Sequence, residues 1–496
     1  MRISRRAIGI LALSAIIQVV LCSLPDTMGD LLEYRIWART LAEHGLAVAY
    51  WPKSAFLTSP EVREFLTSQE MLAPIDYPPL VPYLLWAIGR GLGAVSHDAL
   101  LHNDRLLDVL IRLPFCITIL LIAFVVHLEA RRVALQKADL ICALVALNPA
   151  LIFDTAYWGQ SDAACAFLIV LAVVLLVHCR PEWSWVVLAC AALVKPLAYP
   201  FVPLIMLETW KRFGLRRLFS SAIAGAFVAA VVFVPFGWIG RLGPGLHALI
   251  SQMGEMSYTS VDGHNLWWII GRGLPWTNAN AHPLGVSWKV LSLILFGTFL
   301  LITLVRLWRS KQPRALYVSA ASTAFGFFVL ATHMHENHLF ITLPLLALLA
   351  ADLQWARTVM IALTVTLLAN MLLHDPFLDN ITRPYIPGPH VRLPAIEEGA
   401  QEASSEVYRS LGYPWIADEA SGEISLAGYA ATLVNAQANV VFFVLWLIFA
   451  YSGGSFDNAI AGRDWRPPLR RIGPAIALFV LATSIYFLAN VLHRAT

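Results

Sequence analysis

The sequence predicts an all-α protein that crosses a membrane many times, and its composition and long apolar runs carry this prediction. Of its 496 residues, 58% are hydrophobic and only 14% are charged, whereas a soluble domain carries about 25% charged residues. Runs such as 7–24 and 475–492 approach the roughly 20 apolar residues with which a helix crosses a bilayer. The net charge of +3 is small for this length and predicts no nucleic-acid partner.

The transmembrane helices are predicted from about 13 apolar runs. Two of these, 183–195 and 197–210, are short for a bilayer, and they are either two spans or one broken hairpin. In chain order these runs are 7–24, 107–128, 138–154, 163–179, 183–195, 197–210, 218–236, 286–307, 315–332, 338–352, 356–373, 427–451 and 473–492. The stretch 77–95 is also apolar, but it contains prolines and Arg90. We therefore interpret it as an amphipathic helix on the outer membrane surface, within a large first external loop.

Lysine and arginine set the predicted orientation, because cytoplasmic links are enriched in them. Basic clusters occur in five short links: 2–6, 130–137, 211–217, 306–314 and 463–471. With these links in the cytoplasm the N-terminus lies inside, and the long loops 25–106, 237–285 and 374–426 lie outside. The expected protein is a multi-pass monomer of the bacterial inner membrane whose site faces the periplasm or exterior.

Three segments follow from this topology. Residues 1–373 are expected to form a membrane module that includes the external loop 25–106 and carries the external site. A second external loop spans 374–426, and C-terminal transmembrane helices span 427–496.

The first external loop offers two carboxylates. Asp30 opens the amphipathic segment GDLLEYRIWARTLAEHG (29–45), where it can cap the helix or act as a partly desolvated base. Asp76 lies in PIDYPPL (74–80), where the prolines favour an extended backbone. Asp76 is either a turn residue or a carboxylate held over the membrane surface.

Two further junctions on the same face carry polar residues. In YWGQSD (157–162), Trp158 suits an interfacial aromatic belt. Gln160 and Asp162 stand out, since a carboxylate at the start of an apolar helix costs free energy unless it caps the helix or binds a ligand. Lys195 precedes a proline and is either an anion contact or a side chain that reaches the interface.

The stretches GHNLWW (263–268) and HMHENH (333–338) complete the candidate residues. Asn265 and Trp267 suit sugar recognition or an aromatic belt. The histidines of HMHENH have no i,i+4 pair of the kind found in HExxH zinc sites. The open interpretations are a metal site, histidines satisfied at the interface, and a cluster facing an anionic ligand, in which Glu336 orients an imidazole.

Together these motifs resemble the GT-C superfamily of membrane glycosyltransferases. The likeness is to the glucosyltransferases of N-glycan assembly that use lipid-phosphate sugars, and to their bacterial relatives. GDLLEYRIWART resembles the family's first-loop Gly-Asp segment, with Arg35 and Trp37 five and seven residues after Asp30. IDYPPLVPY, HNLW and HMHEN are similar to further family elements, and WGQSD resembles bacterial relatives.

The resemblance implies a GT-C-like fold and a hexosyltransferase that inverts the anomeric carbon. The donor would be a polyprenyl-phosphate monosaccharide and the acceptor a hydroxyl, usually lipid-linked. Asp30 would be the base, and Lys195, His333, His335 and Glu336 would hold the donor phosphate. The acceptor or sugar would contact Arg35, Asp76, Tyr77, Trp158, Gln160, Asp162, Asn265 and Trp267. No cofactor is required, although Asp30, Asp76 and Asp162 leave a divalent metal open.

Two positions depart from the family pattern. Leu32 stands where an acidic residue is usual, and Asn337 stands where lysine usually follows the His-x-His-Glu motif. Other functions compatible with the residues are a transporter or lipid flippase, a membrane metalloenzyme that uses the histidine cluster, and a non-catalytic scaffold.

Overall fold

The structure is a computed structural model. It describes residues 3–25, 29–51, 59–69, 71, 74–75, 77–251, 258–273, 277–282, 285–373, 390–392, 423–452, 456–457 and 473–486. Asp76 and most of the predicted loop 374–426 lie outside these residues.

Helices dominate the described part of the chain. The α-helices are α1 Arg5–Cys22, α2 Gly29–His44, α3 Pro60–Ser68, α4 Leu80–Val95, α5 His97–His102, α6 Asp104–Val133, α7 Ala138–Ala146, α8 Pro149–Ile152, α9 Asp162–Val177, α10 Pro181–Ala192, α11 Val202–Trp238, α12 Leu242–Ser251, α13 Leu266–Ile270, α14 Trp288–Arg309, α15 Ala315–Leu330, α16 Thr342–Ala347, α17 Gln354–Leu372, α18 Leu426–Tyr451 and α19 Gly473–Tyr486.

Shorter elements connect these helices. A π-helix spans Phe153–Trp158, and 3₁₀ helices span Gly45–Val48, Leu135–Lys137, Pro196–Phe201 and His338–Ile341. Two three-residue strands, β1 His390–Arg392 and β2 Glu423–Ser425, pair antiparallel, with His390 opposite Ser425.

Within the described ranges, seven helices are long and apolar enough to cross a membrane. They are Arg5–Cys22, Asp104–Val133, Leu135–Trp158, Pro196–Trp238, Trp288–Arg309, Gln354–Leu372 and Ala427–Tyr451. Shorter apolar helices lie at Leu80–Val95, Asp162–Val177, Ala315–Leu330, His338–Ala347 and Gly473–Tyr486. The prediction of an all-α polytopic membrane protein is confirmed.

The predicted run 197–210 begins in the 3₁₀ helix Pro196–Phe201 and continues into α11, and the run 218–236 lies wholly in α11. Two helices meet within α11 at Gly214. Its φ of 78° and ψ of 172° are not helical, and glycine adopts a positive φ without the steric cost of a Cβ. The predicted basic link 211–217 lies at this kink.

The chain divides into two compact units. The first comprises Met1–Glu255 with Leu343–Gln354, and the second comprises Met256–Thr342 with Trp355–Thr496. This division does not test the predicted organisation into three segments, which stays a prediction.

In the first unit, α2 packs closely on α4. A Cβ on Gly89 of α4 would lie 2.3 Å from the Ala38 carbonyl oxygen of α2, so only glycine permits this approach. The buried Arg112 of α6 donates from Nη1 to the carbonyls of Cys22 (2.9 Å) and Leu24 (3.1 Å) at the end of α1. These contacts hold the end of α1 against α6.

In the second unit, α15 is buried along most of its length, in accordance with its apolar sequence. The Trp446 indole of α18 donates to the Ser322 hydroxyl of α15 at 2.9 Å. The loop between α15 and α16 carries the predicted histidine segment.

Candidate active site

Asp30 lies in the first turn of α2 and is half-buried. Its Oδ2 accepts two hydrogen bonds, from Trp158 Nε1 at 2.7 Å and from Gln160 Nε2 at 2.9 Å. Both donors are buried. Two N–H groups on one carboxylate oxygen fix the plane of the carboxylate.

The chain between α8 and α9 positions these two donors. Residues 153–158 form a π-helix, an element that is frequent at functional sites. Gly159 ends it with φ of 87°, and the backbone N–H groups of Gly159 and Gln160 both donate to the Asp154 carbonyl, at 3.0 and 3.1 Å. A Cβ on Gly159 would lie 3.2 Å from Arg112 Cγ. This reversal turns Trp158 and Gln160 toward Asp30.

Asp162 and Lys195 form a buried ion pair, with 2.5 Å between Lys195 Nζ and Asp162 Oδ2. Burial lowers the pKa of Lys195, but Asp162 and the neighbouring Tyr34 outweigh burial, so the pKa lies above its usual value. Lys195 is therefore protonated. Asp162 acts as the counter-ion of Lys195, and its predicted contact with a sugar or acceptor stays a prediction.

Tyr34 joins these groups and was missed by sequence reasoning. Burial, and next the charge of Tyr77, raise the pKa of Tyr34 well above its usual range, while Lys195 lowers it and Asp30 raises it. Its hydroxyl therefore stays protonated as a donor. Four residues after Asp30, Tyr34 is offset by only about 40° around α2, which is the signal that could have identified it.

Tyr77 packs its ring against α2, with ring centroids 5.7 Å from Tyr34 and 5.8 Å from Trp37. The carbonyl of Tyr77 accepts from the Tyr50 hydroxyl at 2.9 Å, and the Leu80 N–H donates to the Leu193 carbonyl at 3.1 Å. The Pro-Pro segment therefore lies beside both α2 and the loop that carries Lys195, as its predicted role requires. Asp76 itself lies outside the described residues.

Arg35 points elsewhere. Its guanidinium lies 3.0 Å from an Asp104 oxygen and 3.2 Å from an Asp108 oxygen on α6. Five residues after Asp30, it is rotated by about 140° around α2, so the two side chains leave different faces of the helix. Arg35 anchors α2 to α6, and a contact with the sugar or acceptor stays a prediction.

The second unit holds the histidine segment in a strained loop. His333 has φ of 69°, and Asp262 in the neighbouring segment has φ of 56°. A non-glycine residue in this region costs about 1–3 kcal/mol and persists only where its surroundings enforce it. The enforcing contacts are hydrogen bonds from His333 N to the Thr259 carbonyl at 3.1 Å and from Val261 N to the Met334 carbonyl at 3.0 Å.

The imidazoles of this segment lie close together. Ring centroids are 4.8 Å apart for His335 and His338 and 6.1 Å apart for His333 and His335. Buried Glu336 places Oε2 3.9 Å from His335 Nδ1. His338 Nδ1 accepts from the His335 backbone N–H at 3.2 Å, so His338 supports the loop, a role that sequence reasoning did not assign.

Neither cluster presents a metal site. In the part of the chain that the structure describes, no three His, Cys, Asp or Glu side chains are grouped so that they could hold a metal ion. Asp162 is paired with a cation, and Asp30 Oδ2 is occupied by two N–H donors. Metal dependence stays untested.

Asn265 and Trp267 are engaged in the structure of their own loop. Asn265 caps α13, accepting from Trp267 N at 2.9 Å and Trp268 N at 3.1 Å, and its amide donates to the Phe328 carbonyl at 2.8 Å. Trp267 is buried, and its indole donates to the Leu330 carbonyl at 2.9 Å. These contacts occupy the groups expected to read a sugar, so sugar binding by either residue stays a prediction.

Comparison with known proteins identifies the family of the chain. The family model of glycosyltransferase family 87 matches residues 77–332, which is more than half of the chain. The match includes Trp158, Gln160, Asp162 and Lys195, whereas Asp30 and the histidine segment lie outside it. A search of curated proteins gave no match. The chain belongs to glycosyltransferase family 87, a family of GT-C-type membrane glycosyltransferases.

Proposed function

We propose that this membrane glycosyltransferase moves a hexose from a polyprenyl-phosphate monosaccharide to a hydroxyl group. The acceptor is a lipid-linked glycan or another hydroxyl compound, and transfer occurs with inversion on the external face of the membrane. The single observation that carries the proposal is the Asp30 carboxylate, whose Oδ2 accepts N–H bonds from both Trp158 and Gln160.

The geometry of Asp30 suits a general base. Its hydrogen bonds to described residues go to Oδ2, which leaves the lone pairs of Oδ1 for the acceptor. In the proposed step Asp30 Oδ1 takes the hydroxyl proton while the acceptor oxygen attacks the anomeric carbon. The bond from this carbon to the phosphate oxygen breaks, and the polyprenyl phosphate departs with the electron pair. Attack opposite the leaving group inverts the anomeric configuration.

The histidine segment suits the phosphate. Negative charge grows on the phosphate oxygens as the bond breaks, so N–H donors placed there stabilise the transition state. His333 and His335 have imidazole N–H groups, and Glu336 Oε2 lies 3.9 Å from His335 Nδ1. The proposed contact between these histidines and the phosphate rests only on contacts within the second unit.

In the proposal, Lys195 contacts the phosphate while it remains paired with Asp162. An ammonium group has three donors, and one of them goes to Asp162. Phosphate binding by Lys195 would therefore add to this ion pair rather than replace it. Because the described carboxylates already have cationic or N–H partners, we propose a reaction that needs no divalent metal.

A transfer assay with purified protein tests the proposal. The donors are a panel of polyprenyl-phosphate hexoses with a nucleotide sugar as comparison, the acceptors are lipids from the host membrane, and product configuration is read by NMR. We expect transfer from a polyprenyl-phosphate hexose, with inversion. Transfer from the nucleotide sugar alone, or retention of configuration, would overturn the proposal.

The same assay tests the base. Asp30→Asn keeps the size of the side chain and removes its basicity, and a positioned base contributes about 10²–10⁴-fold, so kcat should fall by that order while donor KM changes little. Glu43→Gln is the matched control, since Glu43 is an exposed carboxylate on the same helix. Near-normal turnover of Asp30→Asn would show that Asp30 only caps α2.

A further inference from the structure

The segment 258–265 supports the histidine segment through backbone contacts. Met334 lies between His333 and His335, and its carbonyl accepts from Val261 N at 3.0 Å and from Gly263 N at 3.1 Å. A Cβ on Gly263 would lie 2.5 Å from this oxygen, so the two backbones are in direct contact. The position of the histidines therefore depends on the position of segment 258–265.

This segment is in turn held by one buried side chain of α17. The Asn370 amide donates from Nδ2 to the Asp262 carbonyl at 2.6 Å, and its Oδ1 accepts from the His264 N–H at 2.8 Å. These two bonds bracket Gly263 and hold Asp262, whose φ is in the left-handed region. Asn370 thus bonds to the backbone on both sides of Gly263.

Two more buried asparagines, both on α18, hold His264. The Asn439 amide donates to the His264 carbonyl at 2.9 Å. The Asn435 amide lies 3.0 Å from His264 Nδ1 and donates to the Thr366 carbonyl of α17 at 2.9 Å. Buried amides are costly unless they are hydrogen-bonded, and each of the three meets the backbone or ring of the same segment.

We infer that Asn370, supported by Asn435 and Asn439, is a positioning residue that sets the geometry of the histidine segment. Asn370 bonds to the segment that carries Met334's backbone partners, and both strained residues, Asp262 and His333, lie in these paired segments. Helices α17 and α18, which follow the region matched by the family model, thereby acquire a function. The functional part of this inference rests on the proposed role of His333 and His335 in donor binding.

Asn370→Leu tests the inference, with Gln437→Leu as the matched control. Gln437 is also a buried amide in this unit, on α18, but it donates to Thr483 and Ser484 of α19 and not to segment 258–265. Asn370→Ser is a second variant with a smaller polar side chain, in case the leucine variant does not fold. Each full-length protein is measured in detergent with stability recorded alongside.

Two measurements distinguish an effect on the position of the histidine segment from an effect on donor binding. Amide hydrogen exchange reports the segments directly, and we expect exchange of 258–265 and 333–338 to become about tenfold faster in the Asn370 variants and to stay unchanged in Gln437→Leu. Donor KM should rise on the order of tenfold in the Asn370 variants, since small displacements of binding groups have large effects. The double variant Asn370→Leu/His335→Ala should be little worse than His335→Ala, because both changes act on one contact.

Unchanged exchange in the Asn370 variants, or an equal loss of protection in Gln437→Leu, would overturn the inference. Faster exchange with unchanged donor KM, where His335→Ala does raise KM, would overturn its functional part. If His335→Ala leaves donor KM unchanged, the proposed phosphate contact fails, whereas the exchange result still decides whether Asn370 positions the segment.

Discussion

The ion pair of Lys195 and Asp162 determines how a substitution of either residue affects the protein. The two charges lie 2.5 Å apart and both are buried. Removal of one partner leaves an uncompensated buried charge, which costs about 3–5 kcal/mol. A simple Lys195→Ala variant therefore mixes a loss of stability with any loss of phosphate binding.

A double variant separates the two effects. We expect Lys195→Met alone to lower the melting temperature, and Lys195→Met/Asp162→Leu to recover most of it, because neither charge of the pair remains. If Lys195 also contacts phosphate, donor KM in the double variant stays raised by about 10- to 100-fold, the equivalent of a charge-assisted contact of about 1.5–3 kcal/mol. A normal donor KM in a stable double variant would restrict Lys195 to the ion pair.

The histidine segment predicts a pH dependence of donor binding. Imidazole loses its proton near pH 6–7, and only the imidazolium adds charge to its contact with phosphate. Donor affinity should therefore be highest at acidic pH and decline as the pH rises through this range, as measured from donor KM between pH 5.5 and 8. The decline should be smaller in His335→Ala. A profile that is identical in wild type and His335→Ala would exclude His335 as the titrating group.

At the scale of elements, the close packing of α2 on α4 positions Asp30. A Cβ at Gly89 would clash with the Ala38 backbone, whereas a Cβ at Gly91 on the same helix meets nothing within 4 Å. Overpacking costs about 1–3 kcal/mol, while alanine in place of glycine in an open helical position gains about 1 kcal/mol.

We therefore expect Gly89→Ala to lower both the melting temperature and the rate of transfer, since α2 must move. Gly91→Ala should leave the rate unchanged and raise the melting temperature slightly. Thermal unfolding in detergent and the transfer assay provide the measurements. Equal behaviour of the two variants would contradict this account of the packing.

At the scale of the whole molecule, the predicted orientation is open to a direct test. Asp98 and Arg217 are exposed, with 89% and 61% of their side chains accessible, and they lie on the predicted outer and cytoplasmic sides. In a background with Cys179→Ser, which removes an exposed thiol, a membrane-impermeant thiol reagent should label Asp98→Cys in intact cells. Arg217→Cys should be labelled only after the membrane is permeabilised, and the reverse pattern would place the site in the cytoplasm.

The sequence by itself determined the membrane-protein class and most helix positions, and it indicated candidate site residues by their chemical type. It could do so because apolar run length and composition are local properties, and because the motifs from Asp30 to Glu336 resemble a known superfamily. It also separated the two helices that meet at Gly214 within α11, because the basic link 211–217 is a local feature of the sequence.

The tertiary structure decided what each side chain does, because the partners lie far apart in the chain. Asp30 meets Trp158 and Gln160 about 130 residues later, Lys195 meets Asp162, and Arg35 turns to Asp104 on another face of α2. The buried amides show most clearly what the sequence does not predict, since nothing in the sequence around Asn370 indicates that its side chain would bond to the backbone on both sides of Gly263. A hydrogen bond depends on distances and angles between atoms, and these are set only when the helices pack.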